Sequence, residues 1–421
     1  MRTLLSGLLG ALLICCAPGG QAPFRVMALV LGSEGVYETR PVELHTVSDV
    51  VALKGSVAQM VGGARVLVDP NDPLLQTNGG NLTDAQLAEV FLKGKGVDVR
   101  ASYIEKDGVL WPADFHTWNM VTTYFNFEQA FGYFQQIYDG KPTEELLGSK
   151  VLYFAEFTLT EVSPQPQKDN ALFFSPVWAF AVLPFESLQQ IPLSINIGVI
   201  GHEYSHRVFN TKVYGGRAIP DPFLRWLGLG AANPQVNLLK ALDEGLADFH
   251  AHGVTCVTEL GCNPRFFSHS FKDDIVDDRD ISKPDKCMSE GLRTALASLP
   301  VGTFTGQGLE YEVGTLLAAS LYQAGNKSAQ MGVLQKAVIS AYDDDSAATP
   351  GFRQLIRNNL ETPQNFTLSA VLDALLAHLP AGSRLQELTC NEFLDRFQVP
   401  RGELPHCPVS SVKGTDCPLL P

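Results

Sequence analysis

Two motifs place the strongest limit on how this chain can fold. The first is His-Glu-Tyr-Ser-His at 202–206, and the second contains Glu244 in Asp-Glu-Gly-Leu-Ala-Asp. Residues four apart on a helix point to the same side, so the imidazoles of His202 and His206 can bind one Zn²⁺. Glu203 would then face the open coordination position, and Glu244 is a candidate third ligand. The pattern predicts a zinc centre suited to hydrolysis.

The sequence around both motifs favours helices. An apolar stretch precedes His202, and the segment 199–210 contains no proline and only one glycine. Asn233-Pro234 is typical of a helix start, with Asn as the N-cap and Pro at the first helical position. Asp248 follows Glu244 by one helical turn, where it can accept the outer N–H of a ligating histidine. The alternative is that these are ordinary core or solvated side chains, but the two coupled motifs favour a metal site.

Length and charge narrow the class of protein. A chain of 421 residues has room for two packed lobes. Its composition, 45% hydrophobic and 18% charged, is typical of a globular protein. The formal net charge of −14 argues against a nucleic-acid partner, because such binding needs clustered Lys and Arg.

The first residues are typical of an export signal. A short basic start is followed by an apolar run from Leu4 to Ile14, too short to span a membrane as a helix. The segment 13–16 resembles a bacterial lipoprotein processing box and favours Cys16 as the lipidated residue. We therefore expect a signal over residues 1–16, a tether over 17–24, and a lipoprotein on the outer face of a bacterial membrane. The alternative is a signal that is simply cleaved from a secreted protein.

Cysteine count indicates disulfides. Of the eight cysteines, Cys15 and Cys16 lie in the signal, which leaves an even set of six. In an exported chain such a set predicts up to three disulfides, with fifteen connectivities open. Cys256 and Cys262 are the favoured local pair. The six are Cys256, Cys262, Cys287, Cys390, Cys407 and Cys417.

The hydrophobic pattern divides the chain and predicts an α+β fold. Short strands and turns over 25–110, with one helix near 84–92, indicate a β-rich amino-terminal module. An amino-terminal catalytic lobe over 111–210 would hold the active-site helix, and 211–421 a mainly helical carboxy-terminal lobe. Within 111–210 we expect an aromatic-striped helix over 117–138, a strand over 151–162 and a strand pair over 171–183. Helices are predicted at about 312–324, 328–342, 351–360, 367–379 and 387–397.

The two motifs resemble those of the thermolysin-like gluzincin zinc metallopeptidases, and their wording is most similar to the fungalysin family. Asn170-Ala171-Leu172-Phe173 resembles the edge strand with which such enzymes hold a peptide backbone. The segment 279–284, led by Arg279, resembles the one whose arginine supports the substrate carbonyl. The resemblance spans about 118–325 and implies a two-lobe thermolysin-like fold.

That resemblance also implies roles for individual residues. His202, His206 and Glu244 would hold zinc, and Asp248 would orient one histidine. Glu203 would act as the general base and pass its proton to the departing amine. The implied substrate contacts come from Asn170 and Ala171 through the edge strand, and from Arg279 at the developing oxyanion.

The sequence departs from the family pattern in three places. The usual histidine before the next helix is missing from the segment 309–314, and Tyr311 is the candidate donor in its place, with packing as the alternative. An acidic run over 273–280 could hold Ca²⁺, yet its spacing matches no ligand template, so a solvated loop is favoured. The alternative for Arg279 is an ion pair with the acidic residues of this run. A long removable propeptide of the fungalysin kind is also absent from the expected organisation.

We therefore expect a zinc metalloendopeptidase that acts on peptides or proteins. One alternative is a surface-anchored protein that keeps the gluzincin fold and zinc with little or no peptidase activity. A second is a narrow hydrolase of a non-peptide bond. Membrane contact is expected only through the lipid anchor, and the oligomeric state stays open.

Overall fold

The computed structural model describes most of the chain from residue 22 onward. The described ranges are 22–32, 36–78, 82–139, 143–160, 163–186, 189–216, 235–257, 262–271, 279–283, 285–298, 309–344, 349–360 and 366–417. The predicted signal with Cys16, most of the predicted tether, Asn233-Pro234 and most of the acidic run over 273–280 lie outside these ranges. No helix in the described ranges is both long and apolar enough to cross a bilayer.

The first part of the chain builds strands. A four-stranded sheet has the order β2-β1-β8-β7, in which β1 pairs antiparallel with β2 and parallel with β8. A second, larger sheet follows the path β11-β12-β9-β5-β4-β3, with β6 and β10 also paired to β5. The strands are β1 Phe24–Leu31, β2 Tyr37–Leu44, β3 Val47–Asp49, β4 Lys54–Gly55, β5 Ala58–Val68, β6 Leu92–Asp98, β7 Tyr103–Lys106, β8 Val109–Pro112, β9 Ser149–Tyr153, β10 Glu156–Leu159, β11 Ala171–Phe174 and β12 Ala179–Val182.

Strand β5 ties the predicted module at 25–110 to the lobe that follows. The first half of β5 pairs parallel with β9, and its second half pairs parallel with β10. Because β11 lies at one end of this path, its far side is a sheet edge. The division into domains stays a prediction, but residues on both sides of position 110 share this sheet.

The remainder of the chain is mainly helical, and the predicted α+β class with a β-rich first part and a helical last part is confirmed. Helix α3 lies across the sheets with its buried aromatic residues, including Tyr124, Phe127 and Phe134, in one large core. The helices are α1 Pro73–Asn78, α2 Asp84–Phe91, α3 Phe115–Ile137, α4 Ile197–Val213, α5 Gln235–Thr255, α6 Glu290–Ser298, α7 Leu309–Ser328, α8 Met331–Asp343, α9 Phe352–Leu360, α10 Leu368–Ala377 and α11 Arg384–Glu392.

Three local differences separate the predicted elements from the observed ones. The strand expected over 151–162 is interrupted at Phe154, whose φ is 48°, and continues in the same direction as β10, so that β9 and β10 pair with different halves of β5. Two short helices, α1 and α6, were not predicted. The last predicted helix ends at Glu392 and continues as a π-helical turn over Phe393–Phe397.

The six cysteines in the described ranges pair in three disulfides. Cys256–Cys262, the favoured local pair, is confirmed. The others are Cys287–Cys417 and Cys390–Cys407. The connectivity that the sequence left open is thereby resolved, and two of the three links lie within or close to the last helices.

Candidate active site

Helix α4 carries the first motif into the centre of the molecule. Its N-cap is Asn196, whose side chain accepts hydrogen bonds from the amides of Gly198 at 3.0 Å and Val199 at 3.3 Å. The side-chain Nδ2 of Asn196 donates to the backbone carbonyl of Phe266 and to Ser270 Oγ. These bonds anchor the start of α4 to the chain after α5. Asn196 thus fixes the direction of the helix that presents the two histidines.

Helices α4, α5 and α7 pack together through small residues. A Cβ added to Gly245 on α5 would lie 2.4 Å from the carbonyl oxygen of Gly314 on α7. A Cβ on Gly201 of α4 would lie 2.8 Å from Val254 of α5. These close contacts hold the second motif directly against the first.

The three predicted ligands converge. His202 Nε2 lies 3.0 Å from His206 Nε2, and Glu244 Oε2 lies 3.3 Å and 3.7 Å from these two nitrogens. Glu244 Oε2 is buried and has no hydrogen-bond partner among the described residues. Two ring nitrogens and an unpartnered carboxylate oxygen that face one another are the donor set that Zn²⁺ prefers, so the residues fit the metal.

The outer nitrogen of each histidine is held by a carboxylate. Asp248 Oδ1 lies 2.8 Å from His202 Nδ1, and Asp243 Oδ1 lies 2.8 Å from His206 Nδ1. With the Nδ1 proton directed at a carboxylate, the Nε2 lone pair points into the centre of the site. The sequence analysis assigned this role to Asp248 and missed Asp243. The available signal was only that Asp243 is the acidic residue directly before Glu244.

Charge in the site is dominated by carboxylates. Burial opposes a charged imidazole, but Asp243 and Glu244 together raise the pKa of His206 to about 10. Burial also raises the pKa of Glu244, yet the two histidines and Arg279 outweigh it and hold that pKa well below its ordinary value. When His202 and His206 are neutral, the carboxylates of the site outnumber its positive charges. This excess of negative charge is compatible with a bound divalent cation.

Glu203 faces the same space from α4. It is only 8% exposed, and burial raises the pKa of its carboxyl group. Its Oε2 accepts a hydrogen bond of 2.8 Å from the backbone amide of Phe173 in β11. This contact joins the first motif to the sheet edge, and the sequence analysis did not anticipate it, because a backbone donor leaves no side-chain pattern.

Arg279 lies between two aromatic rings beside the histidines. Its guanidinium carbon is 4.2 Å from the ring centre of Phe267 and 4.6 Å from that of Tyr311. Its Nη2 donates to Asp248 Oδ1 at 2.6 Å, and its Nε donates to Asp248 Oδ2 at 3.3 Å. The carboxylates that meet Arg279 in the described ranges are therefore Asp248 and, at 3.6 Å, Glu244. The expected alternative of pairing within the acidic run concerns residues that lie mostly outside those ranges.

Tyr311 and the edge strand complete the cavity. Tyr311 is 39% exposed, and the carboxylate of Glu244, with burial, raises its pKa far above the ordinary value. Asn170 Oδ1 accepts a hydrogen bond of 2.9 Å from the amide of Ala171 at the start of β11. A cavity of about 480 Å³ is lined by His202, Glu203, His206, Glu244, Arg279, Tyr311, Asn170 and Ala171. The predicted site residues within the described ranges thus come together, with Asp248 directly behind His202.

Comparison with known proteins gives little beyond this geometry. No family model and no curated protein matches the sequence. Among solved structures, the chain is similar to the precursor of protealysin, a metalloproteinase from Serratia proteamaculans. The identity is 12% and the TM-score 0.45, over 79% of this chain and 86% of that chain.

Proposed function

We propose that the protein is a zinc-dependent endopeptidase. The observation that carries this proposal is the convergence of His202 Nε2, His206 Nε2 and Glu244 Oε2 in one cavity with the buried carboxylate of Glu203. A purely structural zinc site is usually closed by a fourth protein ligand, whereas these three leave a position open beside Glu203. The wording of both motifs, which resembles that of the thermolysin-like gluzincins, supports the same class of enzyme.

When bound, zinc would supply a Lewis acid that polarises the scissile carbonyl and makes water acidic enough to deprotonate near neutral pH. Glu203 is the general base in this proposal. Its Oε2 is held by the Phe173 amide, so Oε1 is left to accept the proton of the attacking water. The same oxygen then returns that proton to the departing amine. A carboxyl group whose pKa is raised by burial is suited to both transfers.

Strand β11 is the proposed binding edge for the peptide. The amides of Ala171 and Phe173 donate to the side chains of Asn170 and Glu203, so they point away from β12. The carbonyls of the same two residues point to this free side as well, where they can accept hydrogen bonds from an extended peptide that adds as a further strand. Such binding depends on the backbone and tolerates many sequences, which suits an endopeptidase.

Arg279 and Tyr311 are the proposed donors to the charge that develops on the substrate. Asp248 accepts hydrogen bonds from Nε and Nη2 of Arg279. Nη1 of Arg279 is not used in these bonds, and we propose that it donates to a substrate carbonyl. Electrostatic coupling of the Tyr311 hydroxyl to Glu244 and Glu203 supports its position near the reacting atoms. Tyr311 would donate a hydrogen bond in place of the histidine that the family pattern contains and this sequence lacks.

We also propose that the protein acts outside the cytoplasm. This rests on the signal-like segment 1–16 and on Cys16, which resembles a lipidation site. The three disulfides are consistent with an oxidising compartment. The expected substrates are therefore peptides or proteins at the cell surface.

Peptide cleavage tests the proposal. The soluble chain lacking residues 1–16 is incubated with a mixed peptide library, and cut sites are determined by mass spectrometry. We expect internal cuts that a zinc chelator abolishes and that Glu203→Gln reduces by at least about 10³-fold while zinc stays bound. Glu312→Gln, the same change at an exposed position of α7, should cut like the wild type.

The alternatives are decided by the same assay. No cuts from a folded, zinc-loaded chain would favour a zinc-binding surface protein or a hydrolase of a non-peptide bond. Full activity in Glu203→Gln would refute the proposed base.

A further inference from the structure

A second group of potential metal ligands lies at the carboxy-terminal end of α5. It consists of His252, Cys256 and Cys262, and each offers a ligand atom within 4.8 Å of the others. His252 and Cys256 are one helical turn apart, so their side chains point the same way. Cys262 is linked to Cys256 as a disulfide. This cluster is separate from His202, His206 and Glu244.

His252 is already placed as a ligand. Its Nε2 lies 3.9 Å from Cys256 Sγ. In a tetrahedral zinc site with bonds of about 2.0 Å to nitrogen and 2.3 Å to sulfur, these atoms would be about 3.6 Å apart. The ring is 2% exposed, meets Tyr322 edge-on at 5.0 Å, and has a buried Nδ1 without a partner among the described residues. The imidazole is thus held beside the sulfur by packing and by the contact of Nε2 with Cys256 Sγ.

The Cys256–Cys262 disulfide is also the accessible one. Cys262 is exposed, whereas Cys390, Cys407 and Cys417 are buried. Accessible disulfides exchange more readily with external thiols. The amide of Asn263 donates to Thr255 Oγ1 at 2.8 Å, which keeps the chain at Cys262 beside the end of the helix whether or not the sulfurs are bonded.

We propose that the Cys256–Cys262 disulfide blocks a metal site because it occupies the two sulfur ligands. Its reduction lets His252 and the two thiolates bind one soft divalent cation such as Zn²⁺. The sulfurs would separate to about 3.8 Å, the spacing of two thiolates on one zinc ion. Only the exposed Cys262 has to move. Water would take the fourth position.

Reduction needs an external dithiol, and the exchange balances. A thiolate of the dithiol attacks the exposed Cys262 sulfur, and Cys256 leaves as a thiolate. The second thiol of the reductant then attacks its own mixed disulfide and releases the Cys262 thiolate. Two electrons have moved to the protein, and the reductant has become a disulfide. The metal replaces the two thiol protons.

The three donors also determine which cation fits. A neutral imidazole at His252 would offer its Nε2 lone pair on the side that faces Cys256 Sγ. Two thiolates and one neutral imidazole form a donor set that favours Zn²⁺ and other thiophilic cations over Mg²⁺ or Ca²⁺.

Cobalt(II) binding to the full chain tests this proposal. The protein is treated with a small dithiol, which is then removed, and mass spectrometry identifies the opened disulfide. Co²⁺ is added and the near-ultraviolet charge-transfer absorption of a cobalt–thiolate bond is followed. Histidine and carboxylate ligands do not give this absorption, so the result is independent of the proposed catalytic centre.

We expect selective opening of Cys256–Cys262 and a saturable thiolate band in the reduced protein only. His252→Ala should weaken Co²⁺ binding by about tenfold or more, and Cys256→Ser should abolish the band. His45→Ala is the control, because that histidine is exposed, lies beside Glu43 just after β2 and is far along the chain from all three disulfides. A reduced pair without the band, a band unaffected by His252→Ala, or opening of the buried disulfides first would each overturn the proposal.

Discussion

Asp243 and Asp248 share the task of orienting the two histidines, but in different surroundings. Asp248 is almost fully buried and binds Arg279 as well as His202. The side chain of Asp243 is 22% exposed and meets His206. Removing Asp248 would leave the buried guanidinium of Arg279 without its main partner. Removing Asp243 would still leave His206 beside Glu244. Asp243 is therefore the position where orientation can be tested without unfolding the chain.

Asp243→Ala is expected to weaken zinc binding by about 10- to 100-fold, because the ring of His206 loses the acceptor that fixes its orientation. Asp243→Asn should recover part of this loss, since the amide oxygen still accepts the Nδ1 proton. Competition with a chromophoric chelator measures the affinity.

Asp373→Ala is the matched control for that measurement. Asp373 accepts from His406 Nδ1 at the same 2.8 Å but lies on α10 and does not line the cavity, so zinc affinity should not change. Equal affinities in the wild type and Asp243→Ala would show that His206 does not depend on this carboxylate.

Helical periodicity in the sequence predicts that His202 lies beside His206 and that Glu244 lies beside Asp248, because each pair is four residues apart on one helix. The meeting of the two pairs was expected from the two motifs together. The contact of Glu203 with the Phe173 amide depends on how β11 lies against α4. Such tertiary contacts carry no periodic signature, and sequence reasoning therefore missed them.

At the scale of elements, the close approach of α5 and α7 fixes where Glu244 lies. Gly245, the next residue, faces Gly314 across the two helices. Neither glycine was singled out by the sequence analysis, because a glycine inside a helical pattern does not reveal which neighbour approaches it. The helices themselves were predicted well, since each has a long apolar face.

Gly245→Ala should destabilise the fold by about 1–3 kcal/mol and also weaken zinc binding. The added Cβ would lie 2.4 Å from a backbone oxygen, so α5 and α7 must separate and shift Glu244. Denaturant unfolding of the metal-free protein measures the first effect, and chelator competition the second.

The control is Gly132→Ala on α3, where an added Cβ meets nothing within 4 Å. This variant should be neutral or more stable by up to about 1 kcal/mol, since alanine favours the helix. If Gly245→Ala behaved in the same way, the close packing of α5 on α7 would not be what positions Glu244.

At the scale of the whole molecule, one core joins the strands to the helices. Helix α3 contacts the strands on one side and α4, α5 and α8 on another, and its buried aromatic residues lie in that common core. His250 of α5 lies inside it, with its Nδ1 2.9 Å from the hydroxyl of Tyr133. The sequence predicted the α+β class from its patterns, but the sharing of β5 between two predicted domains depends on long-range pairing that no local pattern specifies.

His250 should make the metal-free fold sensitive to acid. Burial lowers its pKa to about 3, from an ordinary value of 6.5. Below pH 6.5 His250 is protonated in the unfolded chain, but in the folded chain it stays neutral down to about pH 3. The free energy of unfolding therefore decreases as the pH falls from 6.5 to 3. At pH 5 the loss from this residue is about 2 kcal/mol relative to pH 7.

Urea unfolding at pH 7 and pH 5, in the presence of a chelator, measures this loss. In His250→Gln the difference between the two pH values should shrink by about 2 kcal/mol. His45→Gln, at an exposed position, should leave it unchanged. A wild-type pH dependence that survives in His250→Gln would place the acid sensitivity elsewhere.

The most direct test of the account is X-ray absorption at the zinc edge of the purified chain, together with its zinc content. We predict a single zinc ion per chain, bound by two imidazole nitrogens and by oxygen, and its loss in His202→Ala and Glu244→Ala. A chain that binds no zinc when folded, or that keeps the same nitrogen and oxygen coordination after His202→Ala, would contradict the proposed metal centre.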